Sequence, residues 1–107
     1  MPRASTTSDP FNAIAEPRRR HILELIAGEE RSVSDIAAAL EMEQPSVSKH
    51  LQVLRSVGLV TLRHEGRRTM YRTNPEALRT VHEWCGMFSQ HWRGQLRRIK
   101  AHAEERR

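Results

Sequence analysis

The chain has 107 residues, which fits one domain that buries about two-thirds of its surface at best. Its 18 Lys and Arg against 13 Asp and Glu give a formal net charge of +5, which suits an anionic partner such as nucleic acid. The single Cys85 excludes an intramolecular disulfide. The sequence has no secretory signal and no apolar run of the roughly 20 residues needed to cross a membrane. We therefore expect a cytoplasmic protein with no membrane partner.

The first predicted elements are a tail and two helices. Residues 1–8 are small and polar, so we predict a disordered N-terminal tail followed by a single domain over residues 9–107. Asp9 before Pro10 is typical of a helix cap followed by proline in the first turn. A second helix is predicted from Pro17 to a stop at Gly28, with a helical repeat of apolar residues at Ile22, Leu23, Leu25 and Ile26.

Two further helices are predicted on either side of a tight link. Ser34 is predicted to cap the first of them, whose buried side holds Ile36, Ala37 and Leu40. The second is predicted to begin at Gln44-Pro45, with a core stripe at i, i+4 and i+7 formed by Val47, Leu51 and Leu54. Gly58 is predicted to end it.

The pattern changes after Gly58. Residues 59–62 and 70–73 enclose the turn-forming stretch 65–68, which predicts a β-hairpin with a basic tip. Asn74-Pro75 is predicted to cap one long final helix, whose apolar residues recur at steps of three and four at Leu78, Val81, Cys85, Phe88, Trp92, Leu96, Ile99 and Ala103. This seam is too long for so small a core to cover. The predicted fold is mainly α with a small β-hairpin.

The stretch 32–71 points to nucleic acid. A short helix, a tight link and a second helix with a polar start form a helix-turn-helix. Donors and acceptors on the second helix suit base edges in the major groove, and we predict DNA contacts from Gln44, Ser46, Val47, Ser48, Lys49, His50 and Gln52. A solvated helix surface explains these residues equally well, but the basic hairpin favours DNA. It suits a wing that contacts phosphates or the minor groove through Arg63, His64, Arg67 and Arg68.

The same residues resemble the ArsR family of bacterial winged-helix repressors. The strongest correspondence is 44–54, QPSVSKHLQVL, with further similarity at 11–23, 33–37, 58–60 and 66–71. The resemblance implies a winged helix-turn-helix homodimer that represses transcription from a palindromic operator on the nucleoid. It also implies that the first and last helices form the dimer interface, which here would use Phe11, Ile14, Trp84, Phe88, Trp92, Leu96 and Ile99.

Many members of that family release DNA when they bind a metal. Where one family site has two cysteines, this chain has Ser32 and Ser34, which are poor ligands for thiophilic ions. The spacing of a second family site is reproduced, with serine in place of aspartate, by Ser89, His91, His102 and Glu105. When positions are counted from the end of the wing, however, the residues that correspond to this family site are Pro75, Ala77, Phe88 and His91. Of these four, His91 alone could bind a metal. His82 and Cys85 lack a convincing third ligand. We therefore predict no metal and no cofactor.

Other function classes receive less support. No nucleophile, acid–base pair or phosphate-binding glycine loop points to an enzyme. Two alternatives stay open: a metal- or redox-responsive sensor of the same fold, the latter through Cys85, and a winged-helix module that binds protein and no DNA. Because modules of the second kind usually lose the polar helix start and the basic wing, both of which this chain keeps, a DNA-binding regulator is the favoured interpretation.

Overall fold

A computed structural model describes residues 9–105, so the predicted tail, residues 1–8, lies outside the described residues. Within that range the helices and strands are, in chain order, α1 (Pro10–Ala15), α2 (Pro17–Leu25), α3 (Val33–Leu40), α4 (Gln44–Ser56), β1 (Val60–Glu65), β2 (Arg68–Thr73), α5 (Arg79–Gly86) and α6 (Ser89–Glu105). A 3-10 turn, Pro75–Leu78, precedes α5. The mainly helical architecture with one hairpin confirms the predicted fold class.

The core lies between α2, α3, α4 and the base of the hairpin. Each helix contributes one apolar stripe, because residues three and four positions apart share a helix face. The fully buried large side chains are Ile22, Ile26, Ile36, Val47, Leu51, Leu54, Leu59 and Val60. The stripe predicted for α4 is confirmed, and it fixes how that helix is rotated about its axis.

The ends of α1 and α2 follow local capping rules. Asp9 caps α1 as predicted, since its carboxylate accepts a hydrogen bond from the Phe11 amide at 2.8 Å. Two arginines of α2 then donate to carbonyls at the end of α1: Arg19 Nε to Ala13 at 2.6 Å and Arg20 Nη1 to Ile14 at 2.7 Å. These bonds hold α1 against α2. The predicted stop at Gly28 is late, because α2 ends at Leu25.

The cap predicted for α3 is wrong by two residues. Ser32 is the N-cap, and its hydroxyl accepts from the Asp35 amide at 3.2 Å, whereas Ser34 lies inside the helix. A capping serine bonds an amide two or three residues further on, and Ser32 stands in that relation to Asp35. The helix ends at Leu40, its C-cap Glu41 has a left-handed backbone with φ 54°, and α4 begins at Gln44 as predicted. This short link completes the helix-turn-helix.

The hairpin has a two-residue turn. Glu65 pairs with Arg68, so Gly66 and Arg67 form the turn, and Gly66 has φ 63°, as the first position of a type II′ turn requires. The base of the hairpin is fixed in the core, where the buried Thr73 hydroxyl donates to the Leu23 carbonyl at 2.8 Å.

The single long final helix is not observed. The chain forms the 3-10 turn, then α5, and then α6 after a break at Met87 and Phe88, whose amides donate to the carbonyls three residues earlier at 3.2 and 3.0 Å. Gly86 precedes the break, and glycine is a weak helix former. Asn74 is no side-chain cap, since its amide group instead donates to the Gly58 carbonyl at 3.1 Å.

Candidate nucleic-acid interface

The recognition helix is α4, and its polar residues lie where the core stripe leaves them. Gln44, Lys49 and Gln52 are exposed, and Ser46 and Ser48 are half-buried on the flanks of the helix. The buried stripe determines this arrangement, because any rotation of α4 that hid these residues would expose the apolar stripe to water. DNA contact by these five residues stays a prediction.

Two residues predicted to contact DNA from α4 are placed differently. Val47 is fully buried, so its predicted DNA contact is wrong: it belongs to the apolar stripe that packs into the core. His50 is half-buried on the side of α4 that lies near Arg18 and Arg19. Burial lowers the pKa of His50, and the positive charge of Arg19 lowers it further, so its imidazole is neutral at pH 7.

On the wing, two of the four predicted DNA-binding side chains form ion pairs with residues outside the hairpin. Arg63 Nε lies 2.8 and 3.0 Å from the two carboxylate oxygens of Glu30, and its Nη2 also contacts Glu30. Arg68 Nη2 lies 2.6 Å from Asp35 Oδ2 and 3.1 Å from Ser32 Oγ. Each carboxylate precedes its arginine partner by 33 residues. Sequence reasoning missed these partners, because nothing local in the sequence shows which residues the hairpin packs against.

These contacts shift the pKa values of the partners. A hydrogen bond from Arg63 lowers the pKa of Glu30, and the same pairing raises the pKa of Arg63. The pKa of Asp35 is lowered mainly by a hydrogen bond with the Ser32 side chain, and the positive charge of Arg68 lowers it further. Both carboxylates are therefore ionised at neutral pH.

The wing tip carries the remaining predicted contacts. Arg67 is exposed in the turn, and within residues 9–105 no hydrogen bond or ion pair engages its side chain. The ring of His64 lies 3.3 Å from the Thr69 hydroxyl on the neighbouring strand. A notch of about 320 Å³ separates the tip from the starts of α3 and α4, and its lining includes Ser34, Gln44 and Arg67. The wing tip and the start of the recognition helix therefore lie on the same side of the molecule.

An exposed apolar strip lies on α1, α5, α6 and the break between the last two helices. The ring of Phe11 meets that of Trp84 edge to face, with centroids 5.7 Å apart, and Trp84 meets Phe88 in the same way at 5.2 Å. The exposed fractions of the large apolar residues are 52% for Trp84, 74% for Met87, 40% for Phe88, 48% for Trp92, 64% for Leu96 and 65% for Ile99. Met87 was not among the residues that the sequence predicted for the dimer interface. Ile14 is half-buried and packs against the core.

Neither a metal cluster nor a membrane span is found in the part of the chain that the structure describes. Residues 9–105 contain no group of three or more His, Cys, Asp or Glu side chains placed to hold a metal ion, and no helix there is long and apolar enough to cross a membrane. The histidine pattern near the C-terminus depends partly on the side chains of His102 and Glu105, which lie outside the described residues.

Comparison with known proteins gives a consistent result. The ArsR family of bacterial regulatory proteins matches residues 16–61, from the start of α2 into β1. The transcriptional repressor SdpR of Bacillus subtilis is 32% identical over 74 residues, which cover 69% of this chain and 82% of that protein.

Two solved structures share the fold over most of their length. An ArsR-like transcriptional regulator from Rhodococcus sp. RHA1 has a TM-score of 0.71 and 28% identity, and the match covers 94% of this chain and 91% of that chain. The homodimeric winged helix-turn-helix DNA-binding domain of a possible ArsR-family regulator from Mycobacterium bovis has a TM-score of 0.63 and 32% identity, covering 85% and 93%. This chain therefore belongs to the ArsR family of bacterial regulatory proteins.

Proposed function

We propose that this chain is a transcriptional repressor that binds a palindromic operator as a homodimer. The observation that carries the proposal is the common side shared by the polar start of α4 and the wing tip, where Gln44 and Arg67 line one notch. An α-helix fits the major groove, and polar side chains near its start reach base edges while a cationic wing contacts the backbone. SdpR is a repressor by its name, which supports the same direction of control.

The homodimer accounts for the apolar strip. Contiguous exposed apolar surface of this extent marks an interaction site, and a second copy of the strip is the partner with matching chemistry. The related domain from Mycobacterium bovis is a homodimer. A two-fold axis through the strip would set two recognition helices about 34 Å apart, one turn of DNA.

The proposed function also implies where the protein acts, that it has no catalytic activity and that it has no metal site. A repressor works on DNA in the bacterial cytoplasm, at the nucleoid, and it catalyses no reaction. Ser32 and Ser34 stand where the resemblance to the family would place the cysteine pair of one metal site, and Ser32 serves as the cap of α3. Because this side chain caps a helix and serine is a poor ligand for thiophilic ions, we expect operator binding not to respond to metal.

The test is a selection of DNA from a random duplex library by the purified full chain. We expect an enriched palindrome whose half-sites lie about one helical turn apart, bound about 10³-fold or more tightly than a mixed-sequence duplex. Affinity for the selected duplex is then measured in the presence of a chelator and in the presence of added zinc, and we expect equal affinity. Recovery of no preferred sequence would contradict the proposed function. A difference in affinity of about tenfold or more between the two conditions would instead favour a metal-responsive regulator.

A further inference from the structure

A short segment before α3 extends the hairpin by one backbone bridge. The Arg31 amide donates to the Tyr71 carbonyl at 3.0 Å, and the Tyr71 amide donates to the Arg31 carbonyl at 2.9 Å. Side chains alternate between the two faces of a sheet along each strand. Glu30 and Ser32, on either side of Arg31, therefore point to the face opposite to that of Tyr71.

The arginines of the wing that form ion pairs lie on that same face. Across the hairpin Leu62 pairs with Tyr71, Arg63 with Met70, and Glu65 with Arg68. Paired residues share a face, so Arg63 and Arg68 both lie opposite to the side of Tyr71. The register thus places Glu30, Ser32, Arg63 and Arg68 on one face. On that face Arg63 donates to Glu30, and Arg68 donates to Ser32 and to Asp35 in the first turn of α3.

We infer that Glu30 and Asp35 are positioning residues that hold the wing against the helix-turn-helix through Arg63 and Arg68, and that Arg67 is the phosphate contact of the wing tip. The DNA part of this inference rests on the proposed function. Arg63 and Arg68, which the sequence suggested as DNA contacts, thereby become structural anchors.

Charge and geometry both support this assignment. The hairpin carries four arginines, at positions 63, 67, 68 and 72, and the carboxylates of Glu30 and Asp35 neutralise two of them. Arg63 engages Glu30 through two nitrogens, an arrangement that fixes direction as well as distance. A single partly exposed ion pair contributes little. Here two pairs flank one backbone bridge, so all three contacts restrain the same rigid hairpin, and a wing fixed before binding loses less entropy when it meets DNA.

The first test needs no DNA. Hydrogen exchange of the Arg31 and Tyr71 amides reports the opening of the bridge, and it is measured in the full chain for wild type, Glu30→Gln and Asp35→Asn. The control is Glu65→Gln, because Glu65 contacts Arg63 at 3.0 Å from within the hairpin. We expect exchange about twofold faster or more in both anchor variants and unchanged in the control. Wild-type exchange rates in both anchor variants would overturn the anchoring role.

The second test uses the charge swap Glu30→Arg with Arg63→Glu, made together with Glu65→Gln because Glu65 also contacts Arg63. Binding is measured on a selected operator and a mixed-sequence duplex over a range of salt. An anchor tolerates the swap, so we expect operator affinity within about threefold of wild type, whereas Arg63→Glu alone weakens binding about tenfold or more. A swap as weak as the single variant would show that Arg63 contacts phosphate and would overturn the inference.

The salt dependence separates Arg67 from the anchors. Arg67→Ala should reduce the steepness of the slope of log K against log salt concentration by about 0.9 for each phosphate that the wing no longer neutralises. The charge swap should keep the wild-type slope. An unchanged slope in Arg67→Ala would remove Arg67 as the phosphate-binding residue of the wing. If the wild type binds neither duplex, the proposed function fails, and the exchange experiment still decides whether Glu30 and Asp35 anchor the wing.

Discussion

Replacement of Trp92 by alanine tests the homodimer most directly. Trp92 lies on α6 in the exposed apolar strip, between Phe88 one turn before it and Leu96 one turn after it. Within the described part of a single chain it remains 48% exposed, so packing inside one protomer accounts for only half of its surface. If the strip is the dimer interface, this side chain is buried by the partner copy.

The size of the effect follows from the exposed area. A tryptophan has on the order of 250 Å² of surface, so its exposed half amounts to about 120 Å² in each protomer. At about 25 cal/mol per Å², complete burial of both copies would contribute roughly 6 kcal/mol to association. Burial on association is rarely complete and alanine keeps part of the packing, so we expect Trp92→Ala to cost about 3 kcal/mol. That value weakens the dimer by about 150-fold.

The assay is analytical ultracentrifugation of wild type and Trp92→Ala across a dilution series. Gln90→Ala is the matched control, because Gln90 lies on the opposite face of the same helix, about 160° around the axis. We expect a wild-type dimer at low micromolar concentration, an unchanged control, and a Trp92→Ala variant that dissociates at a concentration about 150-fold higher. Operator affinity and thermal stability should fall with it. A folded wild-type monomer at low micromolar concentration, or an unaffected Trp92→Ala dimer, would refute the reasoning.

Three further predictions concern the interface and the fold. Ser48→Ala should weaken operator binding by about 1 to 3 kcal/mol and leave a mixed-sequence duplex nearly unaffected; equal losses on both duplexes in fluorescence anisotropy would show that Ser48 reads no base. Thr73→Val should lower the free energy of unfolding by about 1 to 2 kcal/mol in urea titrations, because it removes the buried bond to Leu23, and an unchanged midpoint would contradict this. The pKa values of Glu30 and Asp35 in the folded protein lie below their ordinary values of 4.5 and 3.8. Ionisation of these two carboxylates therefore stabilises the fold fully above the ordinary pKa values, and this stabilisation is lost as the pH falls through the lower pKa values of the folded protein. The Tm difference between wild type and Glu30→Gln should therefore close below about pH 4, and a constant gap in acid would argue against it.

Much of the architecture could be predicted because its signals are local. The cap at Asp9, the start of α4 at Gln44 and the turn at Gly66 each depend on a few neighbouring residues. The errors arose where a local signal fitted two interpretations. Ser32 and Ser34 are both good capping residues two positions apart, and only the packing of α3 selects the first. Val47 fitted both the core stripe and the DNA surface, and its burial assigns it to the core.

By itself, the sequence determined the order of the elements as far as the hairpin, the apolar stripe that orients the recognition helix, and the excess of apolar residues after the hairpin. These properties repeat at the period of the secondary structure, so neighbouring residues are enough to reveal them. Only the tertiary structure decided that Glu30 and Asp35 hold the wing arginines, that Arg31 bridges to Tyr71, and that the last helix breaks at Met87. The first two of these join residues more than 30 positions apart, and they exist only once the strand register and the packing of α3 bring opposite charges and free backbone groups together.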